Sequence, residues 1–232
     1  MGITDWWFPR VCRLCRREMH RDIDLCAPCE KSLAWNRNAC SRCGVPLPGV
    51  ANGTCTDCAG HPPPFEATVT PLLYEGPIRG WVHAAKSARG LGEAKLLSGL
   101  LARGIEFGGA RIPDALVPVP LTTARLFRRG HNQAALLAAP LSRRLCIPLR
   151  RGGIARAGGS RPQRGQSRSA RARSVRSIFR ATRSCTGHLA IVDDVVTTGA
   201  TAGELAATLL DAGAGRVDVW AVARVPPVSG IN

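Results

Sequence analysis

The segment IVDDVVTTGAT (191–201) places adjacent carboxylates, Asp193 and Asp194, between a short apolar run and a turn rich in hydroxyls and glycine. Carboxylates accept hydrogen bonds from vicinal hydroxyls. A turn that opens into a helix offers an anion free N–H groups and the positive end of the helix dipole. In the turn Thr197, Thr198, Gly199, Ala200, Thr201, the threonines add hydroxyl donors and Gly199 lets the backbone approach closely. The pattern reads as a clamp for a sugar phosphate, with the diol on the acid pair and the monophosphate in the turn. No G-x-G-x-x-G follows a strand and no GK[ST] occurs, so neither a dinucleotide site nor a P-loop fits. The plainer alternative is a strand end with an Asp helix cap.

A second chemistry resides in the cysteines. Of ten, eight precede residue 60 as Cys12-x2-Cys15, Cys26-x2-Cys29, Cys40-x2-Cys43 and Cys55-x2-Cys58, the second set repeating the first at an offset of 28 or 29 residues. Paired Cys-x-x-Cys turns bring two sulfurs to one metal, and four thiolates satisfy tetrahedral Zn2+. Iron–sulfur ligation is the rival for such soft ligands. The wiring is open between sequential sites (12, 15, 26, 29 and 40, 43, 55, 58) and a cross-braced pattern. Closed four-cysteine sites hold up modules too small to fold alone. Cys146 and Cys185 lack such spacing and read as ordinary thiols.

The formal charge is +16, and all of it comes from the middle of the chain. Between Asp114 and Asp193 there is no acid but there are 16 arginines; elsewhere 16 basic residues face 16 acidic ones. This favours phosphate-bearing partners, although the excess of arginine over lysine, 29 to 3, is also what a compositional bias produces. The start, MGITDWWFPRVC, has neither a basic n-region nor a long apolar core, and no spanning apolar run occurs. A reducing, cytoplasmic setting is expected.

These groups need elements to hold them. A Pro-rich joint, HPPPF (61–65), separates the cysteine module (1–63) from the remainder (64–232). Beyond it, strands are expected at 67–75, 115–120, 189–192 and 217–223. Helices are expected at 78–86, 93–104, 132–145 (with Pro140 as a kink or break) and 200–213. Strands alternating with helices predict an α/β fold with a mostly parallel sheet, whose ligands sit beyond the carboxyl ends of the strands. The stretch 150–176, rich in Gly, Ser and Arg, reads as a long functional or disordered insert. The joint further predicts that zinc removal unfolds the cysteine module and leaves the sheet standing.

The IVDDVVTTGAT segment resembles the phosphoribosyl-pyrophosphate (PRPP) motif of type I phosphoribosyltransferases. With FPRVCRLC (8–15), the double cysteine module, YEGPIRGWVHAAK (74–86), VPVPL (117–121), RRGHNQA (128–134) and RPQRGQSRSARARSV (161–175), the chain resembles the ComF family of competence-associated proteins nearly end to end. The resemblance implies a type I phosphoribosyltransferase-like fold behind a double zinc ribbon. It implies PRPP at Asp193, Asp194 and Thr197–Thr201, taken with Mg2+. Pro118, Val119, Pro120, Leu121 and Thr122 become the pyrophosphate loop, and an Arg-rich lid around Arg161 and Arg171 closes the site. The chain departs from the family pattern at His131, Gln166 and Ser174, which puts the lid in question rather than the PRPP cradle. Lys86 reads first as a snorkelling surface lysine, second as an anion contact.

Two functions remain in view. One is Mg2+-dependent phosphoribosyl transfer to an acceptor the sequence does not identify, with no enzyme nucleophile. The other is a nucleic-acid module of DNA uptake, expected to contact single-stranded DNA through the Arg-rich segment and to have partners in the uptake machinery, in which PRPP is a regulator or the site a relic. Aromatics gather near Trp6, Trp7 and Phe8 rather than in the basic segment, so any DNA binding is expected to be electrostatic and steeply salt-dependent.

Overall fold

The structure, a computed structural model, describes residues 10–49, 53–87, 90–156 and 178–227. Each half of the cysteine module is a short reversal followed by one turn of helix. The first has the antiparallel pair β1 (Arg10–Val11) and β2 (Glu18–Met19), then α1 (Ala27–Lys31); the second has the bridge Ala39–Pro46, then α2 (Thr56–Gly60).

The remainder builds a parallel sheet. β3 (Thr68–Val69) and β4 (Leu72–Leu73) both pair with β9 (Arg216–Arg224), β9 with β8 (His188–Val196), and β8 with β5 (Ala115–Pro118), every pair parallel. The inner strands are apolar through their middles, Leu189–Val192 and Val219–Ala223, because both their faces are covered there. Along β8 the alternation divides the core: Ala190 and Val192 face α3 (Gly76–Ala84), α4 (Leu91–Gly108) and α6 (Gln133–Leu145), whereas Leu189 and Ile191 face the helix α7 (Ala200–Asp211). The result is the expected α/β architecture, a parallel sheet flanked by helices behind a cysteine-rich region.

Several expectations change in detail. The strand at 67–75 is two pieces, split around Pro71, which has no N–H for a ladder. α6 runs through Pro140 without interruption. β8 continues past the apolar LAIV to Val196, so the acid pair lies within the strand; the ladder to β9 is a backbone matter and persists, with Asp193 opposite Ala221. Two further features lie outside the expected elements. One is α5 (Thr123–Arg129), a helix with no buried residue. The other is the antiparallel pair β6 (Ile154–Arg156) and β7 (Phe179–Ala181), which flanks the Arg-rich stretch. Arg161 and Arg171 themselves lie outside the described residues.

The cysteine module is not set apart from the sheet. Cys12, Met19, Ile23, Leu25 and Leu33 belong to the same buried cluster as α4 and the strands. α4 accepts glycine within its span to allow the approach: a Cβ on Gly99 would lie 2.7 Å from Ile23. Charged groups bridge the same seam. Arg103 of α4 reaches Glu30 at 3.0 Å and Asp22 at 2.7 Å, and Arg144 of α6 reaches Asp22 at 2.8 Å. The shared core favours melting of the module and the sheet together, against the independence that the joint suggests.

Candidate functional site

The eight cysteines form two separate clusters, Cys12, Cys15, Cys26, Cys29 and Cys40, Cys43, Cys55, Cys58, with all sulfurs in each within 4.8 Å of one another. The wiring is therefore sequential. Sulfurs 2.3 Å from a tetrahedral Zn2+ stand about 3.8 Å apart by geometry. Cys15 and Cys26 stand 3.7 Å apart, as do Cys43 and Cys55. The Cys26 N–H donates to the Cys12 sulfur at 3.4 Å and the Cys55 N–H to the Cys40 sulfur at 3.3 Å. Burial opposes ionisation of Cys12, but the N–H groups of Cys15, Cys26 and Leu14 outweigh it and pull its pKa down to about 6. Cys40 falls to about 7 in the same way, its burial outweighed by the N–H groups of Cys43, Cys55 and Arg42. Cys29 is pushed up to about 12, chiefly through its contact with Cys26, and Cys58 also rises, through burial and then its contacts with Cys43 and Cys55. So many close sulfurs ionise together only around a cation, and the donor set fits Zn2+ in a closed, structural site.

The acid pair opens onto a cavity of about 230 Å³ lined by Lys86, Val119, Leu121, Arg125, Arg129, Asn132, Gln133, Ala134, Arg156, Asp193, Asp194 and Thr201. Four segments meet there. β8 supplies the acids. Asp194 donates its N–H to the Asp193 carboxylate at 2.8 Å, and Val195 donates its own to Asp194 at 2.9 Å. Lys86, just beyond α3, pairs with Asp194 at 3.2 Å and lines the cavity instead of lying along the surface. Burial, and then the charge of Asp194, holds the Asp193 carboxyl well above the usual carboxylate range, against the pull of the Asp194 N–H and Lys86. The loop after β5 brings Val119 and Leu121. Asn132 fastens it, donating to the Val119 carbonyl at 3.0 Å while its own oxygen caps α6.

α5 and β6 bring cations. Thr122 caps α5, accepting the Arg125 N–H at 3.3 Å, and Arg125 and Arg129 follow one helical turn apart. Arg156 stacks over Phe179 at 5.2 Å; burial, then repulsion from Arg125, lowers its pKa. Among the described residues no carboxylate pairs with Arg125, Arg129 or Arg156. A small cavity with an acid pair at one wall and unpaired guanidinium groups at another suits a ligand bearing both hydroxyls and phosphates.

Of the residues named from sequence, Asp193, Asp194, Thr201, Val119 and Leu121 share this cavity. Thr197, Thr198, Gly199 and Ala200 form the turn above it; Gly199 has φ +83° and caps α7, where glycine is the residue that adopts such a backbone freely. Pro118 and Pro120 instead line a neighbouring cavity of about 390 Å³ with Leu126, Leu136 and Arg150. A larger, shallow depression of about 580 Å³ lies between β7 and the far end of α7, away from the acid pair. Sequence reasoning missed Arg125, Arg129 and Arg156. The first two had a signal, an i, i+4 spacing directly after the pyrophosphate-loop residues; Arg156 had none, because a fold-back of β6 against β7 delivers it.

A parallel α/β sheet carrying an acid pair and a threonine- and glycine-rich turn on an inner strand, joined to two four-cysteine clusters that fit Zn2+, defines an α/β protein with an N-terminal double zinc ribbon. Comparison agrees with the ribbon: the family described as the double zinc ribbon domain matches residues 3–59. The chain is 35% identical over 224 residues to the DNA utilization protein YhgH of Escherichia coli strain K12, covering 93% of this chain and 97% of that protein. It is 31% identical over 222 residues to the competence protein F of Haemophilus influenzae, covering 92% and 96%. Among solved structures it is similar to the glutamine PRPP amidotransferase of B. subtilis, at 23% identity and a TM-score of 0.40, over 59% of this chain and 26% of that one. Leishmania donovani UMP synthase is similar over 57% of this chain and 27% of its own, at 18% identity and a TM-score of 0.33. The chain belongs to the ComF family of competence-associated proteins. Among the described residues no helix is long and apolar enough to cross a membrane.

Proposed function

We propose that this chain binds PRPP with Mg2+ and transfers its phosphoribosyl group to an acceptor, in the cytoplasm and in the service of DNA uptake. The observation that carries the reading is the single cavity joining the acid pair to Val119, Leu121 and three unpaired arginines. Asp193 and Asp194 accept the ribose hydroxyls, with Lys86 holding Asp194 in place. The turn Thr197–Thr201 and the N-terminus of α7 take the 5′-phosphate. The loop Pro118–Thr122, with Arg125 and Arg129, takes the diphosphate, and Arg156 adds charge from the side. As the bond from ribose C1 to the diphosphate breaks, negative charge grows on the leaving group. Cations already in position stabilise it without reorganising. Mg2+ bound with the substrate oxygens would share that neutralisation. The acceptor supplies the nucleophile and no side chain of the chain bonds to the sugar.

Calorimetric titration of PRPP with Mg2+ tests this. One-site binding in the wild type that disappears in Asp193→Asn/Asp194→Asn is expected. A folded, zinc-loaded wild type that does not bind PRPP would rule the reading out.

One observation favours a DNA contact beside the site. Phe127 stands 85% exposed on α5 between Leu126 and Arg128, so an exposed aromatic lies beside the arginines of the site. A base stacked on Phe127 would add affinity that salt does not remove. Binding of a labelled oligothymidylate across a salt series, wild type against Phe127→Ala, checks it; identical curves refute a stacking role.

A further inference from the structure

The anion-accepting turn is held from behind by one buried arginine at the end of β9. Arg224 is only 8% exposed, and among the described residues no carboxylate pairs with it. Backbone carbonyls solvate its charge instead. Its Nη1 donates to Val196 O at 3.1 Å, to Thr197 O and to Val225 O at 2.9 Å, and its Nε donates to Cys43 O at 3.1 Å. Two of these acceptors begin the phosphate turn. The fourth belongs to the knuckle of the second zinc site, 181 residues earlier in the chain.

Peptide geometry gives that contact a consequence. In a planar trans peptide the C=O and the following N–H point in opposite directions. With the Val196 and Thr197 carbonyls drawn inward to Arg224, the Thr197 and Thr198 N–H groups face outward. Among the described residues neither these nor the Gly199 N–H has a protein acceptor. They are free donors aimed away from the core, as an oxyanion cradle requires.

The other end of the arginine is equally fixed. The knuckle Ser41–Gly44 is laid along β3: the Thr68 N–H donates to Ser41 O at 3.0 Å, the Thr68 hydroxyl to Arg42 O at 2.5 Å, and Asn36 Nδ2 to Gly44 O at 2.9 Å. The Gly44 N–H closes back on Cys40 O at 2.8 Å within the metal loop. The Cys43 carbonyl is therefore held by the metal loop and by β3 together.

We infer that Arg224 is a positioning residue that couples the knuckle of the second zinc site to the phosphate turn, so that a disturbance at Cys43 reaches the cradle through Arg224 without touching any group that contacts the ligand. The inference rests on reading the turn as the 5′-phosphate cradle. It predicts an uneven effect on the two ends of the ligand, since the diphosphate end is held by α5 and the loop after β5, which Arg224 does not touch.

The test compares wild type, Arg224→Met and Arg224→Lys by calorimetry with two probes, ribose 5-phosphate and Mg2+-pyrophosphate. Amide hydrogen exchange is followed at residues 41–44 and 197–201. Arg224→Met is expected to weaken ribose 5-phosphate by about tenfold, the scale of one lost charge-assisted bond, and pyrophosphate by less than about twofold. Arg224→Lys keeps the charge but has a single ammonium head that cannot reach both Cys43 O and Thr197 O, so its split is intermediate. In both variants, exchange is expected to rise together at the knuckle and the turn. Equal weakening of both probes, or faster exchange at one segment alone, overturns the coupling. If the wild type binds neither probe, the PRPP reading fails by itself and the exchange data still decide the coupling. If Arg224→Met does not fold, Arg224→Lys carries the same comparison.

Discussion

Replacing Glu30 by alanine removes the carboxylate on which the seam between the first ribbon and the helical layer converges. Glu30 is 9% exposed; it pairs with Arg21 at 2.6 Å and with Arg103 at 3.0 Å. Arg103 is itself mostly buried and keeps only the more exposed Asp22 as a partner once Glu30 is gone. Breaking one side of a buried pair costs about 3–5 kcal/mol. The surviving Asp22 contact and the solvent near Arg21 bring this to about 2–3 kcal/mol. For a chain of this size that lowers Tm by about 5–10 °C. Thermal unfolding followed by circular dichroism, with hydrogen exchange at β8 and β9, measures it. Because Ile23, Leu25 and Leu33 share a core with α4 and the strands, exchange in the sheet is expected to accelerate along with that in the ribbon. Arg13→Ala is the control: its pair with Glu93 is more exposed, worth about 0.5 kcal/mol. If Glu30→Ala shifts Tm no more than Arg13→Ala does, or if exchange changes only in residues 10–40, the shared core does not transmit stability and the reasoning is wrong.

Chelation of zinc is expected to unfold ribbon and sheet in one transition, seen by far-ultraviolet dichroism; a sheet signal that survives complete zinc release refutes this. Asp193→Asn is expected to raise stability at neutral pH while removing PRPP binding. The raised carboxyl of Asp193 contributes stability below the ordinary carboxylate range and loses it as pH rises through its folded-state value, so the advantage of the variant shrinks towards acid pH. Urea midpoints across that range check the sign, and an advantage that grows on acidification contradicts it. Gly44→Ala meets Thr70 Oγ1 at 2.4 Å with φ at +72°, whereas Gly49→Ala, at φ +79°, meets nothing within 4 Å. The strain common to both is about 1–2 kcal/mol. Faster zinc release from the second site in Gly44→Ala than in Gly49→Ala, read with a metallochromic dye, is the expected result; equal rates count against docking of the knuckle on β3.

Local patterns were legible without coordinates because each is complete within a short span. The Cys-x-x-Cys repeat announces four-thiolate sites, and the alternation of apolar runs with helical periods announces a parallel α/β sheet. Asp193 and Asp194 followed by the threonine and glycine turn announce a strand end that opens into a helix, where the cavity lies. The i, i+4 pair Arg125 and Arg129 was legible in the same way but went unread.

What the chain alone left open depends on groups that are distant in sequence. The wiring of the sulfurs is one such case, because sequential and cross-braced pairings have the same spacings and only the packing of each reversal against its own helix separates them. Arg156 enters the cavity through a strand pairing with no periodic signal. Lys86 looks like any lysine after a helix until α3 packs beside β8 and sets it at Asp194. Arg224 ends an apolar strand as a solvated charge would, yet the fold surrounds it with carbonyls from both halves of the chain. Sequence by itself determined the chemistry available, through residue types at short spacings. Tertiary structure decided which of those groups act together, because burial and hydrogen-bond partners are set by which surfaces the core brings into contact.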